Sequence, residues 1–243
     1  MQEPKIKISV IIPVFNVEPW IGECIESLKK QKQDGLEFIF VDDCGTDNSM
    51  RIVEDWAEED ERVRILRNKE NSGPGPSRNT GIEAARGDYL SFIDPDDLVS
   101  DDFYELLYSK AKETDCDIVK GVRISFKDGE HAKKKGGMHV TSIVNKRIEE
   151  RGREEKPLFL CFTYEHQTAI FKRTLFADKS VRYGSSRNAE DIVFLLIICL
   201  KTESIATVSE PAYYYRSRES AATSEYSLRR ANNELASFKE QID

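Results

Sequence analysis

Tyr89-Leu90-Ser91-Phe92-Ile93-Asp94-Pro95-Asp96-Asp97 is an apolar run that ends in three carboxylates. The apolar part has the length and composition of a buried β-strand. The carboxylates therefore emerge together where that strand leaves its sheet. Groups so crowded repel one another and must be solvated, hydrogen-bonded or neutralised by a cation. An oxygen-only set suits a hard ion such as Mg²⁺ or Mn²⁺. An acidic loop whose Asp97 or a neighbour caps the next helix has the same composition. The stretch alone leaves the two readings level.

Outward from it, two hydrophobic periods alternate. Residues 8–12 form a continuous β-branched strand, and residues 18–30 place Ile21, Cys24, Ile25 and Leu28 on one helical face. Strands follow at 36–41 and 63–66, with a helix at 49–59 between them that turns Val53, Trp56 and Ala57 inward. A helix at 77–86 is expected to end with Gly87 in the C′ position. After the strand at 89–93 come a helix at 101–113 and a strand at 117–121. Strands alternating with helices at this spacing imply βαβ units and an α/β fold with a mostly parallel sheet, helices on both faces. Ligands in such sheets bind beyond the carboxyl ends of the strands. Pro13 to Asn16, Asp42-Asp43 and Asp94 to Asp97 all lie at such ends, so three polar sets distant in sequence should line one crevice.

Beyond residue 126 the pattern weakens. Lys133-Lys134-Lys135 reads as a solvated loop or hairpin tip rather than an anion site. Glu190-Asp191 opens an apolar helix at 192–200, a placement that the helix dipole explains by itself.

The 243 residues carry a net charge of -8, with 39% hydrophobic and 33% charged side chains, and are long enough to bury a full core. The acidic balance argues against nucleic-acid binding through phosphate charge. The five cysteines are odd in number and widely spaced, and read as reduced thiols of a cytosolic protein. The three histidines share no metal-ligand spacing. No apolar leader segment is visible at residues 1–7, and the run at 192–200 is too short to span a bilayer.

Ile8-Ser9-Val10-Ile11-Ile12-Pro13-Val14-Phe15-Asn16, Val41-Asp42-Asp43-Cys44-Gly45-Thr46-Asp47-Asn48-Ser49, Asn71-Ser72-Gly73-Pro74-Gly75-Pro76-Ser77-Arg78-Asn79 and Phe92-Ile93-Asp94-Pro95-Asp96-Asp97 stand in one order. Together they resemble the family 2 glycosyltransferases of the GT-A fold. The similarity is dense from residue 6 to 121 and returns between 159 and 223. It implies a GT-A domain over 1–225, with a nucleotide-sugar-binding half (1–121) and an acceptor-side half (122–225). Residues 226–243 read as a helical extension, continuing into a longer protein.

The resemblance also implies roles. Pro13, Phe15 and Asn16 would wall the base and ribose, with Pro13 also reading as a strand terminator. Asp43 would accept from the imide of the base, while Asp42 holds the loop. Arg78 opens a helix, where a cation is disfavoured by the dipole, and would contact base or diphosphate. Asp94 would touch ribose or the metal shell, and Asp96 would hold Mg²⁺ or Mn²⁺, with Asp97 in support. Asp191 would be the catalytic base and Glu190 an acceptor ligand. Arg216 and Arg218, after the run Tyr213-Tyr214-Tyr215, would give positive charge to the leaving diphosphate. The tyrosines themselves read as strand packing. Many members have a metal-binding His after the position of Ser220, where this chain has Thr223-Ser224-Glu225. His166 falls near the acceptor region but reads as surface or core.

The expectation is an inverting transferase that moves sugar from a nucleotide-diphospho-sugar, UDP-linked, to a saccharide or lipid-linked glycan. It would work in the cytoplasm, at or near the inner membrane face as a peripheral protein. Oligomeric state is not legible. A non-catalytic sugar-nucleotide or glycan-binding module on the same fold is the alternative. A nucleotidyltransferase would need a glycine- and arginine-rich loop after the first strand, and Val14-Phe15-Asn16-Val17-Glu18 is not one.

Overall fold

In a computed structural model, residues 5–130, 132, 154–155, 165–185 and 190–218 are described. Lys133 to Lys135, His131, His139, Cys161, Thr223 to Glu225 and the extension at 226–243 lie outside the described residues. The strands are β1 (Ile8–Val14), β2 (Leu36–Asp42), β3 (Val63–Arg67), β4 (Tyr89–Phe92), β5 (Leu98–Val99), β6 (Ile118–Lys127), β7 (Glu154–Glu155), β8 (Ala169–Lys172) and β9 (Ser204–Ser217). The helices are α1 (Glu18–Lys29), α2 (Ser49–Glu59), α3 (Pro74–Ala84), α4 (Phe103–Thr114) and α5 (Glu190–Lys201).

Among the described residues one nine-stranded sheet runs β3-β2-β1-β4-β8-β6-β9-β5, with β7 on β9. β1 pairs in parallel with β2 and β4, β2 with β3, and β6 with β9. β8 is antiparallel to β4 and β6, and joins the first half of the chain to the second. The mostly parallel α/β sheet expected from the alternating periods is therefore present.

β1 is buried at every position because both faces of the sheet are covered. On one face Val10, Ile12, Phe38 and Phe40 pack against α1, α2 and α4. Trp56 of α2 lies 5.1 Å from the Phe38 ring and 5.8 Å from Phe40. On the other face Ile11, Ile39, Leu90 and Phe92 meet α3 and α5. The carboxyl ends of β1, β2 and β4 open on one edge, which brings Phe15, Asp42 and Asp94 to a common crevice.

Three local readings are corrected. α3 starts at Pro74 rather than at 77, with Gly73 at φ 94° supplying the turn and proline filling the first helical turn. α3 ends at Ala84 into extended backbone, so Gly87 is not its C′ residue. Gly87 instead packs on β1, where a Cβ would stand 2.6 Å from the Ser9 nitrogen. Pro13 is no terminator either. It lies inside β1 opposite Val41, and the ladder with β4 stops at Ile11, leaving that flank of β1 without a partner strand. No helix among the described residues is long and apolar enough to cross a membrane.

α3 approaches β1 so closely that a Cβ on Gly81 would stand 2.4 Å from Ile11 Cγ2, in a side chain with no exposure. Gly81→Ala is therefore expected to destabilise the fold by about 1–3 kcal/mol through overpacking, despite alanine's better helix propensity. Urea unfolding checks this, with a lowered midpoint and an unchanged slope.

Candidate functional site

The crevice is built on charge. Arg78, 4% exposed in the first turns of α3, donates from Nη2 to Asp94 Oδ1 at 2.7 Å and from Nη1 to Glu190 Oε1 at 2.8 Å. One guanidinium thus spans from the end of β4 to the start of α5. Burial disfavours its charge, but Asp94 and Glu190 outweigh that and hold it protonated. Its fork also lies 5.2 Å over the Tyr183 ring. Because α3 begins at Pro74, Arg78 stands in its second turn, where the dipole penalty has faded, and its charge is met from within the protein: the ligand contact expected of it is here an internal bridge. Glu190, expected to meet the acceptor, is likewise engaged with Arg78 and only 7% exposed.

Asp94 receives a second donor, Gln167 Nε2, at 3.0 Å on Oδ2. Burial pushes its carboxyl up, yet Arg78 and these hydrogen bonds prevail and hold it below the ordinary value. Asp97 is 1% exposed and takes Tyr213 OH at 2.7 Å and the Arg216 backbone N–H at 2.7 Å. The same Tyr213 oxygen accepts from the Asp94 N–H at 3.2 Å. Asp97 therefore orients the loop and caps no helix. Burial, with Asp96 and Asp94 adding to it, pushes its carboxyl well up.

Asp96 pairs with Arg218, Nη2 to Oδ2 at 2.6 Å. Burial and then Asp94 raise its carboxyl, and Arg218 opposes them. Arg216 is not free to meet a leaving group. Nε donates to the Asp96 carbonyl at 2.7 Å, Nη1 to Asp128 at 3.0 Å and Nη2 to Glu23 at 2.7 Å, with the Phe126 ring 4.8 Å below. It rivets β9 to the acidic loop and to α1.

On the β2 side Asp43, expected to face the base, proves to be a loop anchor. Asp43 is 2% exposed and accepts from Asn68 Nδ2 at 2.8 Å, Ser72 N at 3.0 Å and Gly73 N at 2.8 Å. It holds the loop that enters α3 instead of presenting itself to a base. Asp42 is partly exposed and holds its own loop as expected, accepting from Gly45 N at 3.3 Å with Arg67 Nε 3.8 Å away. Asn16, at φ 50°, ties the exit of β1 to the β2 loop by accepting from Thr46 N at 2.8 Å. Phe15 is 43% exposed, an apolar wall at the mouth.

At the start of α5, Asp191 lies beside the Arg78 bridge. Burial, then the neighbouring Glu190, raise its carboxyl to about 6 against the pull of Arg78. His166 proves to be core. It is 1% exposed among Phe92, Tyr183 and Phe194, and burial followed by Arg78 lowers it to about 3, so the ring is neutral. Sequence reasoning missed Gln167, Tyr213 and Trp20. Gln167 has no motif of its own, and the tyrosine run gave no sign that one hydroxyl would reach the acidic loop. Trp20, on α1, carries the Arg218 guanidinium 4.2 Å over its ring and donates from Nε1 to Asp128 at 3.2 Å.

For a cation the described residues assemble no cluster of three or more His, Cys, Asp or Glu groups. Asp94 and Asp97 have both oxygens engaged, which leaves Asp96, with Arg218 as its cationic partner.

Residues 9–178 match the family model described as glycosyl transferase family 2. The uncharacterized glycosyltransferase EpsJ of Bacillus subtilis is 32% identical over 221 residues, 89% of this chain and 62% of the relative, so the chain spans less than two thirds of that protein. The solved structure of Staphylococcus aureus TarS 1-349 in complex with UDP-GlcNAc superposes at a TM-score of 0.72 with 25% identity, covering 92% of this chain and 62% of that one. The mannosyltransferase PcManGT from Pyrobaculum calidifontis, solved with GDP-Man and Mn²⁺, shares the fold at 18% identity and a TM-score of 0.65, over 90% of this chain and 59% of that one.

Asp191 makes a prediction independent of any substrate. A folded value near 6 against an unfolded value of about 4 means that the folded chain binds the extra proton between those pH values. This favourable contribution is full below about pH 4 and lost as pH rises through 6. Asp191→Asn should therefore gain about 1–3 kcal/mol over the parent at pH 8, the gain shrinking towards pH 4. Chemical unfolding at the two pH values checks the sign.

Proposed function

Because the chain belongs to glycosyl transferase family 2, we propose that it is an inverting glycosyltransferase. The donor is a nucleotide-diphospho-sugar, UDP-linked, and the acceptor a hydroxyl of a saccharide or a lipid-linked glycan. One observation carries the reading: Arg78 ties the carboxylate at the end of β4 to the start of α5, where Asp191, buried beside Glu190, sits near pKa 6. In this reading one guanidinium joins the donor-side acid cluster to the helix that carries the acceptor-side base. TarS, of the same fold, was solved with UDP-GlcNAc, and its curated sequence bears the name poly(ribitol-phosphate) beta-N-acetylglucosaminyltransferase, which supports a UDP-sugar and a polyol or glycan acceptor.

In the proposed chemistry, Asp191 takes the proton of the acceptor hydroxyl as its oxygen bonds to the anomeric carbon. The bond from that carbon to the diphosphate breaks on the opposite face, the electron pair leaves with the nucleoside diphosphate, and configuration inverts. A group titrating near 6 is ionised and still basic at neutral pH. Phe15 and Asn16 line the nucleotide end, with Asp42 as the accessible carboxylate there and Asp43 behind it as the loop anchor.

A divalent cation, Mg²⁺ or Mn²⁺, fits Asp96. Such ions are commonly held by one or two carboxylates together with substrate phosphates and water, and Asp96 already sits against a cation, the Arg218 guanidinium. When bound, the ion would neutralise charge on the departing diphosphate. Nucleotide-sugar use and the acceptor class fit work in the cytoplasm near the membrane face.

Asp191→Asn should retain UDP affinity in calorimetry and lose about 10²–10⁴-fold in turnover. In the parent, kcat should fall tenfold per unit below about pH 6. Asp96→Ala should remove the stimulation of turnover by Mg²⁺ or Mn²⁺. Release of UDP from a panel of UDP- and GDP-sugars tests the reading as a whole. A chain that binds UDP yet releases none from any donor is the non-catalytic binding module instead.

A further inference from the structure

Asp94, Asp96 and Asp97 stand within four residues of one another, and each has a different answer to its charge. Asp94 has Arg78 and Gln167, and Asp97 has the Tyr213 hydroxyl and a backbone N–H. Asp96 alone among them pairs with a side chain from beyond the end of β9. Arg216, two residues earlier, cannot take that place because Asp128, Glu23 and the Asp96 carbonyl occupy its fork.

The two arginines also differ in exposure. The Arg216 side chain is 2% exposed and locked, whereas Arg218 is 22% exposed. Among the described residues Arg218 meets Asp96 at 2.6 Å and the Trp20 ring at 4.2 Å, and its buried Nε has no partner among them. A guanidinium with donors to spare, on the carboxylate best placed for a cation, is matched to a phosphate.

We propose that Arg218 is a resident counter-ion that changes partners when the donor binds: a divalent cation takes Asp96, and the donor's diphosphate takes Arg218. This deepens the donor reading above and rests on it. The exchange makes the two ligands cooperative. A cation alone must break the Asp96 pair and strand Arg218; a diphosphate alone must strand Asp96. Together, all four charges find partners, so each ligand raises the affinity of the other. Arg218 acts here through binding, as the residue that makes a cation-loaded diphosphate preferable to either part.

Trp20 reports the event, because departure of a stacked guanidinium changes the surroundings of its indole. The other tryptophan, Trp56, is buried against Phe38 and Phe40. The probes are UDP and Mg²⁺, added singly and together to the full chain, with binding followed by calorimetry and tryptophan emission. Mg²⁺ is expected to strengthen UDP binding roughly 5- to 150-fold. The pair should shift the emission while either alone shifts it little, and the shift should vanish in Trp20→Phe. Arg218→Ala should lose most of the coupling and bind Mg²⁺ alone more tightly, while Arg218→Lys restores the coupling in part. If UDP binds with Mg²⁺ while Trp20 emission stays unchanged, or if Arg218→Ala keeps the full coupling, the exchange is overturned and the donor reading stands. If UDP gives no binding heat with or without Mg²⁺, the donor reading falls and the exchange with it. Should Arg218→Ala fail to fold, the parent against Trp20→Phe decides alone.

Discussion

A single buried guanidinium organises this protein. Arg78 carries a positive charge into a site that is 4% exposed, in the second turn of α3. It is tolerable only because Asp94 and Glu190 meet its two terminal nitrogens. Removing either carboxylate would leave a buried charge half-answered, a change that costs about 3–5 kcal/mol in buried pairs. Gly75 of α3 serves the same contact. A Cβ at Gly75 would stand 2.4 Å from the Gly184 carbonyl and 3.2 Å from Glu190 Cγ, so only glycine lets α3 come close enough for Arg78 to reach α5. Sequence spacing, helix approach and charge pairing are here one constraint.

That constraint explains which parts of the molecule were legible in the chain. β1, β2 and β4 are buried on both faces and read as unbroken apolar runs, and α2 fell on its expected residues because its inward face repeats at helical spacing. The crevice was legible too, since a parallel sheet sends those strand ends to one edge. The start of α3 was not. Gly73-Pro74-Gly75 has the composition of a turn, and only the carboxylate of Asp43, accepting from Ser72 and Gly73, turns it into a helix entry. Of β9 only the tyrosine run read as strand; its extent from Ser204 escaped because it pairs with β5 and β6 across long sequence separation, and no local period announces that.

Side-chain roles were harder to read than positions. The residues singled out do converge, but several face each other rather than a ligand. A motif tells which residue types gather at a strand end; it does not say which of two adjacent carboxylates points outward. Asp42 and Asp43 differ only by the alternation of strand β2 as it ends, which sends Asp43 towards the loop at 72–73 and leaves Asp42 partly exposed. Arg216 and Arg218, two apart, would share a face on a regular strand, yet β9 ends at Ser217, and one is locked against α1 while the other reaches Asp96.

The same logic separates Glu190 from Asp191. They are neighbours of like charge in the first turn of one helix, where the dipole favours both. Arg78 reaches only Glu190 with a hydrogen bond. Asp191 accepts from the Ile192 N–H at 2.9 Å, but burial and the adjacent carboxylate prevail and raise its value to about 6. Pushing two carboxylates into different environments is how one site obtains an anchor and a base from the same chemistry. Arg78 therefore does more than hold α3 to α5. By engaging Glu190 it fixes that side chain beside Asp191, which accepts from the Ile192 N–H at 2.9 Å, so the contact that stabilises the crevice also sets apart the carboxyl proposed as the base.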